Sequence, residues 1–195
     1  DQHGIIDKGV THTINGKDMP GFLKNDLSDD MPFLKKLNLK HAEYALKSIQ
    51  ELIPAAAISS AITRQFNYSS SCVATNKGNG QFLLSRLPPL IQLSSVNAVH
   101  CMDVNTDGYL DLVLGGNQFN FQPQLGRLDA SAGDILMNNG KGNFLTLASR
   151  QTGLALRGQL RDIVEIRGRE KRYLLFLQND EYPALYQANK YPGGK

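Results

Sequence analysis

Two stretches of this chain repeat one another. Cys72-Val73-Ala74-Thr75-Asn76-Lys77-Gly78-Asn79-Gly80-Gln81-Phe82 returns as Ile135-Leu136-Met137-Asn138-Asn139-Gly140-Lys141-Gly142-Asn143-Phe144, with the two phenylalanines 62 positions apart. Each reads as an apolar run, an asparagine, a glycine-rich turn carrying a lysine, and a phenylalanine that restarts the run. One such hairpin is common; a second in matching context constrains the fold. Repeats of a small antiparallel unit mark sheets that stack face on face, as propeller blades do, because one unit alone cannot bury its apolar face. Beyond Pro54 the pattern agrees, with short apolar runs at intervals of about 8 to 12 residues between Gly, Asn, Asp and Pro. Strands are expected at 61–68, 71–75, 82–87, 98–102, 110–114, 134–137, 144–148, 162–167, 173–178 and 184–187.

The first part of the chain is patterned differently. Val10 to Ile14 has strand composition, and Asn15-Gly16 is a two-residue hairpin turn. Ser28-Asp29-Asp30 offers helix caps and Pro32 suits a first helical turn. From Phe33 to Ile53 the apolar residues fall at helical intervals, with Ala42, Ala45, Leu46, Ile49, Leu52 and Ile53 forming a stripe that Pro54 ends. The stripe predicts an amphipathic helix packed on the protein.

The most informative loop is Asp103-Val104-Asn105-Thr106-Asp107-Gly108-Tyr109-Leu110-Asp111. Side-chain oxygens stand at its first, third, fifth and ninth positions. Gly108 permits the backbone reversal that turns the carbonyl of Tyr109 inward. Calcium is a hard cation that takes six to eight oxygens, so Asp103, Asn105, Asp107, Tyr109 and Asp111 are the expected metal ligands, and calcium the expected cofactor. Three carboxylates suit calcium better than magnesium. A plain Asx-rich turn without metal is the alternative. The ion's role would be structural, pinning one strand to the next.

Composition limits the partners. Lys plus Arg is 21 against 18 for Asp plus Glu, a net +3 that does not argue for nucleic acid. Apolar runs stay well short of the roughly 18 residues of a membrane span. Two cysteines, Cys72 and Cys101, exclude a disulfide framework and a four-cysteine zinc site, though one bridge between them stays open.

The stretch Asp103 to Asn117, reading DVNTDGYLDLVLGGN, resembles the calcium loop and following strand of an FG-GAP/VCBS repeat, the unit of integrin-α-like β-propellers. The likeness is closer to the cartilage-acidic-protein/UnbV-like family of Bacteroidota. It continues through Pro123-Gln124-Leu125-Gly126-Arg127-Leu128-Asp129-Ala130-Ser131, Asn138 to Phe144, and Arg157-Gly158-Gln159-Leu160-Arg161-Asp162-Ile163. Met31-Pro32-Phe33-Leu34-Lys35-Lys36 with Tyr44-Ala45 resembles an insertion between strands of those proteins. The resemblance implies a mainly β fold: a partial β-propeller of four-stranded antiparallel blades with a calcium loop and a helical insertion. Residues 1–30 would be a blade remnant, with Asp1, His3, Gly4 and Asp7 forming a degenerate calcium loop. Residues 31–54 would be the insertion, 55–96 the completion of that blade, 97–157 a complete blade, and 158–195 a last partial blade and tail. It implies an extracellular or outer-membrane-surface location. Family propellers are longer than 195 residues, so the expected partners are the remainder of a longer propeller protein or partner chains.

Other residues admit two readings. Asn117, Phe119, Asn120 and Phe121 form a possible lip for a glycan or protein ligand, or the phenylalanines wedge between blades. His100 and Cys101 should lie on opposite strand faces. Arg167-Gly168-Arg169-Glu170-Lys171-Arg172 reads as a solvated hairpin tip, and Asn67-Tyr68-Ser69 fits a glycosylation sequon. No nucleophile or phosphate motif is present, so the expected function is a non-catalytic binding or scaffolding module. Part of a glycan-active enzyme, or of a multi-subunit outer-membrane surface assembly, is the alternative.

Overall fold

A computed structural model describes residues 9–37, 39–121 and 126–189. The fold is mainly β, with 38% strand against 20% helix, and its antiparallel sheets are not closed into a ring. The chain divides into two compact units, residues 1–66 and 67–195.

In the first unit, β1 (Thr11–Ile14) and β2 (Lys17–Pro20) form the expected hairpin, with Ile14 opposite Lys17. Asn15 and Gly16 turn the chain at φ 50° and 76°, the left-handed pair that a two-residue hairpin demands. The single amphipathic helix expected over 33–53 is instead a series of short pieces. These are α1 (Lys24–Asp30), a 3₁₀ turn (Pro32–Leu37), α2 (His41–Tyr44), α3 (Ile49–Leu52) and α4 (Ala55–Ser60). Local caps explain the breaks. Glu43 accepts the N–H of Lys40 at 2.9 Å, and Glu51 accepts that of Ser48 at 2.8 Å, so each glutamate starts a new helix. Leu27, Leu34, Tyr44 and Leu52 are buried together, whereas Ala42, Ala45 and Leu46 of the expected stripe are exposed. Residues 61–68, expected as a strand, pair with nothing among the described residues.

In the second unit, β3 (Cys72–Gly78) pairs with β4 (Gln81–Arg86) as a separate hairpin. β5 (Val96–Met102), β6 (Asp111–Gly116), β7 (Asp134–Asn138) and β8 (Phe144–Thr146) follow as a four-stranded meander. After the short α5 (Ser149–Thr152), β9 (Gln159–Arg167), β10 (Arg172–Asn179) and β11 (Ala184–Ala188) make a three-stranded sheet. Cys72 and Cys101 lie on different sheets and are free thiols.

The inner strands of the four-stranded sheet are covered on both faces, while Val99 and Cys101 of β5 and Leu145 of β8 stay exposed. On one side Leu114 and Leu136 meet Leu87 and Ile91 of the turn after β4, with Val73 of β3 against them. On the other, Ala98, Met102 and Val113 meet Leu160, Ile163, Leu174 and Phe176 of the three-stranded sheet. Each fully buried large side chain contributes about 1.5–3 kcal/mol, so these two layers carry the stability of the unit. The approach is close at Gly115, where a Cβ would overlap the Leu160 side chain. Such two-sided burial explains why β6 reads DLVLGG rather than alternating polar and apolar.

Candidate functional site

β5 delivers the chain to the acidic loop and β6 takes it away, so the loop sits at one end of the central sheet. Its side chains curl back on its own backbone. Asp103 accepts the N–H groups of Asp107 at 3.2 Å and Gly108 at 2.9 Å. Asn105 Oδ1 accepts Asp107 N–H at 3.1 Å, and Asp107 Oδ1 accepts Tyr109 N–H at 2.9 Å. Asn105 Nδ2 donates to Asp107 Oδ2 at 2.8 Å, which brings the third and fifth positions together. Gly108, at φ 92°, supplies the reversal the sequence required.

Asp111 behaves differently. It is wholly buried, and its two oxygens accept the N–H of Val104 at 2.9 Å and of Asn138 at 2.8 Å. It therefore ties the loop to the end of β7. Asn138 reinforces the tie by donating from Nδ2 to Leu110 O at 3.0 Å. Across the gap, the exposed Tyr109 ring lies where a side chain at Gly140 would stand.

The donor chemistry of the loop fits a hard cation: carboxylate and amide oxygens, each with a second lone pair free beyond the N–H it accepts. Among the described residues, however, no three His, Cys, Asp or Glu side chains are gathered closely enough to hold a metal. Asp103, Asn105 and Asp107 are neighbours through the loop backbone, while Asp111 is committed to two N–H groups. The Asp1, His3, Gly4 and Asp7 loop lies outside the described residues.

A polar cluster that the sequence did not announce stands beside the loop. Glu165 of β9, its side chain only 10% exposed, receives Arg167 Nη2 at 3.1 Å. Arg172 Nη1 and His100 Nε2 each stand 3.8 Å from its carboxylate. The Arg167 hydrogen bond lowers the Glu165 pKa most; burial opposes it, and the charges of Arg167, Arg172 and His100 add to the lowering. Arg172 also donates from Nη2 to the carbonyl of Asp103 at 3.0 Å, joining the second sheet to the first residue of the loop. Of the expected basic tip, Arg167 and Arg172 are thus engaged in ion pairs rather than simply solvated. As expected, His100 and Cys101 point to opposite faces, His100 toward β9.

The residues proposed as a lip divide. Asn117 is not on a lip: it is buried, and its amide makes four hydrogen bonds. Oδ1 accepts Ser94 Oγ at 2.9 Å and Ser131 N–H at 3.0 Å; Nδ2 donates to Ser131 O at 2.8 Å and Gly158 O at 3.1 Å. The strand end turns at Asn117 with φ 76°, a conformation asparagine tolerates, and burial leaves its amide no role but to pin the following loop. Phe119 is half-buried, with the Arg127 guanidinium 3.9 Å over its ring and Arg127 Nε 3.2 Å from Asp129. Asn120 and Phe121 are exposed. Gln118 and Leu128 bridge the neck of this loop; Pro123, Gln124 and Leu125 fall outside the described residues.

Comparison with protein-family models, with curated proteins and with solved structures finds no match.

Proposed function

We propose that this chain is a non-catalytic, calcium-stabilised module of an FG-GAP/VCBS-type β-propeller, of the cartilage-acidic-protein/UnbV-like kind. In this reading it belongs to an exported or cell-surface protein and serves protein or glycan binding or scaffolding. The observation that carries it is the central four-stranded antiparallel sheet, whose inner strands are covered on one face by the three-stranded sheet and on the other by the turn after β4, with the acidic loop at one end. A propeller blade is a four-stranded antiparallel sheet packed between its neighbours, and the strand order here supports that reading. Calcium would be held by Asp103, Asn105 and Asp107, with the Tyr109 carbonyl and Asp111 completing the shell. It would offset the repulsion among three carboxylates on one short loop. Asn120 and Phe121, exposed at the opposite end of β6, are the part of the lip that remains available to a glycan or protein.

A thermal melt in millimolar calcium, repeated in chelator, tests the reading. Extracellular calcium modules bind with Kd of about 10⁻⁴–10⁻³ M, so millimolar calcium should add about 1 kcal/mol and raise Tm. Asp107→Ala should abolish the rise. A melt indifferent to calcium makes the loop a bare turn and removes the cofactor from the proposal.

A further inference from the structure

The acidic loop leaves the sheet through a peptide that is held from both sides. The ladder between β5 and β6 ends at the pair Met102 and Asp111, so Asp103 is the first residue beyond it. The carbonyl of Asp103 and the N–H of Val104 belong to one planar unit and point in opposite directions. That carbonyl accepts Arg172 Nη2 at 3.0 Å, and that N–H donates to the buried Asp111 carboxylate at 2.9 Å. The half-buried Val104 side chain packs on the core between the two sheets. A peptide plane fixed in this way leaves mainly side-chain torsions to place the Asp103 carboxylate, which accepts the N–H groups of Asp107 and Gly108.

Arg172 is the first residue of β10 and stands opposite Arg167 at the end of β9. Its guanidinium works in two directions. Nη2 reaches the loop, while Nη1 stands 3.8 Å from Glu165 Oε1. That oxygen is buried and has no hydrogen bond among the described residues, so the Arg172 charge is what faces it. Arg167 occupies the other oxygen at 3.1 Å, and His100 stands 3.8 Å from it. The planar fork of a guanidinium lets one side chain face a carboxylate and a carbonyl at once; a lysine ammonium is a single point on a flexible stem. The three-stranded sheet thus reaches the start of the loop through one arginine, braced from behind by one buried carboxylate.

We propose that Arg172, braced by Glu165, is a positioning residue of the acidic loop, and that it tightens calcium binding by holding the Asp103 peptide. This inference rests on the calcium reading and deepens it, because it ties the site to the packing of the three-stranded sheet. A loop that starts from a fixed peptide has less freedom to lose when its oxygens gather on an ion, so holding the peptide favours binding. The charge of the arginine acts the other way. A guanidinium beside a cation site repels the ion, and by Coulomb's law alone its removal would tighten binding. Positioning and charge therefore give opposite signs for the same substitution. Linkage is reciprocal, so the ion in turn strengthens the hold of the three-stranded sheet on the loop by the same factor.

The test follows the amide resonances of Gly108 and Tyr109 in the whole chain as calcium is added into the millimolar range, with a melt in chelator as a separate measure of stability. Arg172→Met should raise the calcium Kd about tenfold, the scale on which residues behind a metal's ligands act. The Arg172 side chain is 37% exposed and methionine keeps an apolar stem, so this variant should still melt cooperatively. Arg172→Lys keeps the charge and loses the fork, and should weaken binding nearly as much. Glu165→Gln should weaken binding in the wild type and add little once Arg172 is methionine, because it acts through the arginine. An arginine with a merely structural role would lower Tm in chelator and leave the Kd alone. Where the wild type responds to calcium, a Kd unchanged or lower in Arg172→Met overturns this inference alone, as does a lysine variant that binds like the wild type. Wild-type resonances indifferent to calcium overturn the calcium reading and this inference with it.

Discussion

The loops at the two ends of β6 solve the same problem in opposite ways. Residues 103–110 are mostly exposed and, ahead of the buried anchor Asp111, their side chains satisfy the loop's own N–H groups over short distances in sequence. In the loop after β6, the described residues 117–121 and 126–133 are pinned by one buried amide that reaches Ser94, Ser131 and Gly158. The first arrangement leaves oxygen lone pairs facing solvent, where an ion can use them. The second leaves nothing free at its anchor and presents only the residues farther out.

The comparison breaks first at its anchors. Asn117→Ala deletes four buried hydrogen bonds and places a Cβ-bearing residue without polar help at positive φ, so urea unfolding of the second unit should show a loss of about 3 kcal/mol. Asn117→Gly should recover about 1 kcal/mol of that, the part due to backbone strain. Asp111→Asn turns an amide NH₂ toward one of two buried N–H groups and should cost about 2 kcal/mol by the same measurement.

Gly140→Ala comes next, at about 1–2 kcal/mol, since its Cβ would lie 2.5 Å from Tyr109 Cζ at a backbone φ of 72°. Adding Tyr109→Ala should return part of the loss, and strict additivity would refute the contact. Asp107→Ala in chelator should cost less than about 1 kcal/mol, because its hydrogen bonds are exposed. If it costs as much as Asp111→Asn, the loop is anchored rather than poised.

The smallest effect is one of sign. Burial raises the Asp134 pKa from 3.8 against a lowering hydrogen bond from Ser131, whereas the Arg167 hydrogen bond leads the lowering of Glu165 from 4.5. Asp134 therefore adds stability below the unfolded value that is lost as pH rises through its folded value. Glu165 adds stability above its unfolded value that is lost as pH falls through its folded one. Urea midpoints taken between about pH 3 and 7 should lose the first dependence in Asp134→Asn and the second in Glu165→Gln.

Much of the sheet was legible in the sequence because turn chemistry is local. Asn15-Gly16, Asn76 to Gly80 and Asn138 to Gly142 each fix a hairpin with residues that favour positive φ, and the strands beside them follow. The helical region was misread because an apolar stripe at helical spacing says nothing about where capping carboxylates restart the backbone. Asn117 misled for a related reason: an asparagine among amides and aromatics reads as surface, and the groups that bury it lie 14 to 41 positions away. One local signal was available, since an asparagine directly after Gly115-Gly116 at a strand end is suited to a left-handed turn. The cluster of His100, Glu165 and Arg172 had no local signal, because it assembles only when two sheets meet.

The hydrogen bond from Arg172 to the Asp103 carbonyl joins residues 69 positions apart. During synthesis the acidic loop is made long before its arginine, and closing so large a span must come before the contact repays its entropy. A chain halted before β10 would carry every oxygen of the acidic loop and still lack the clamp that sets where the loop begins.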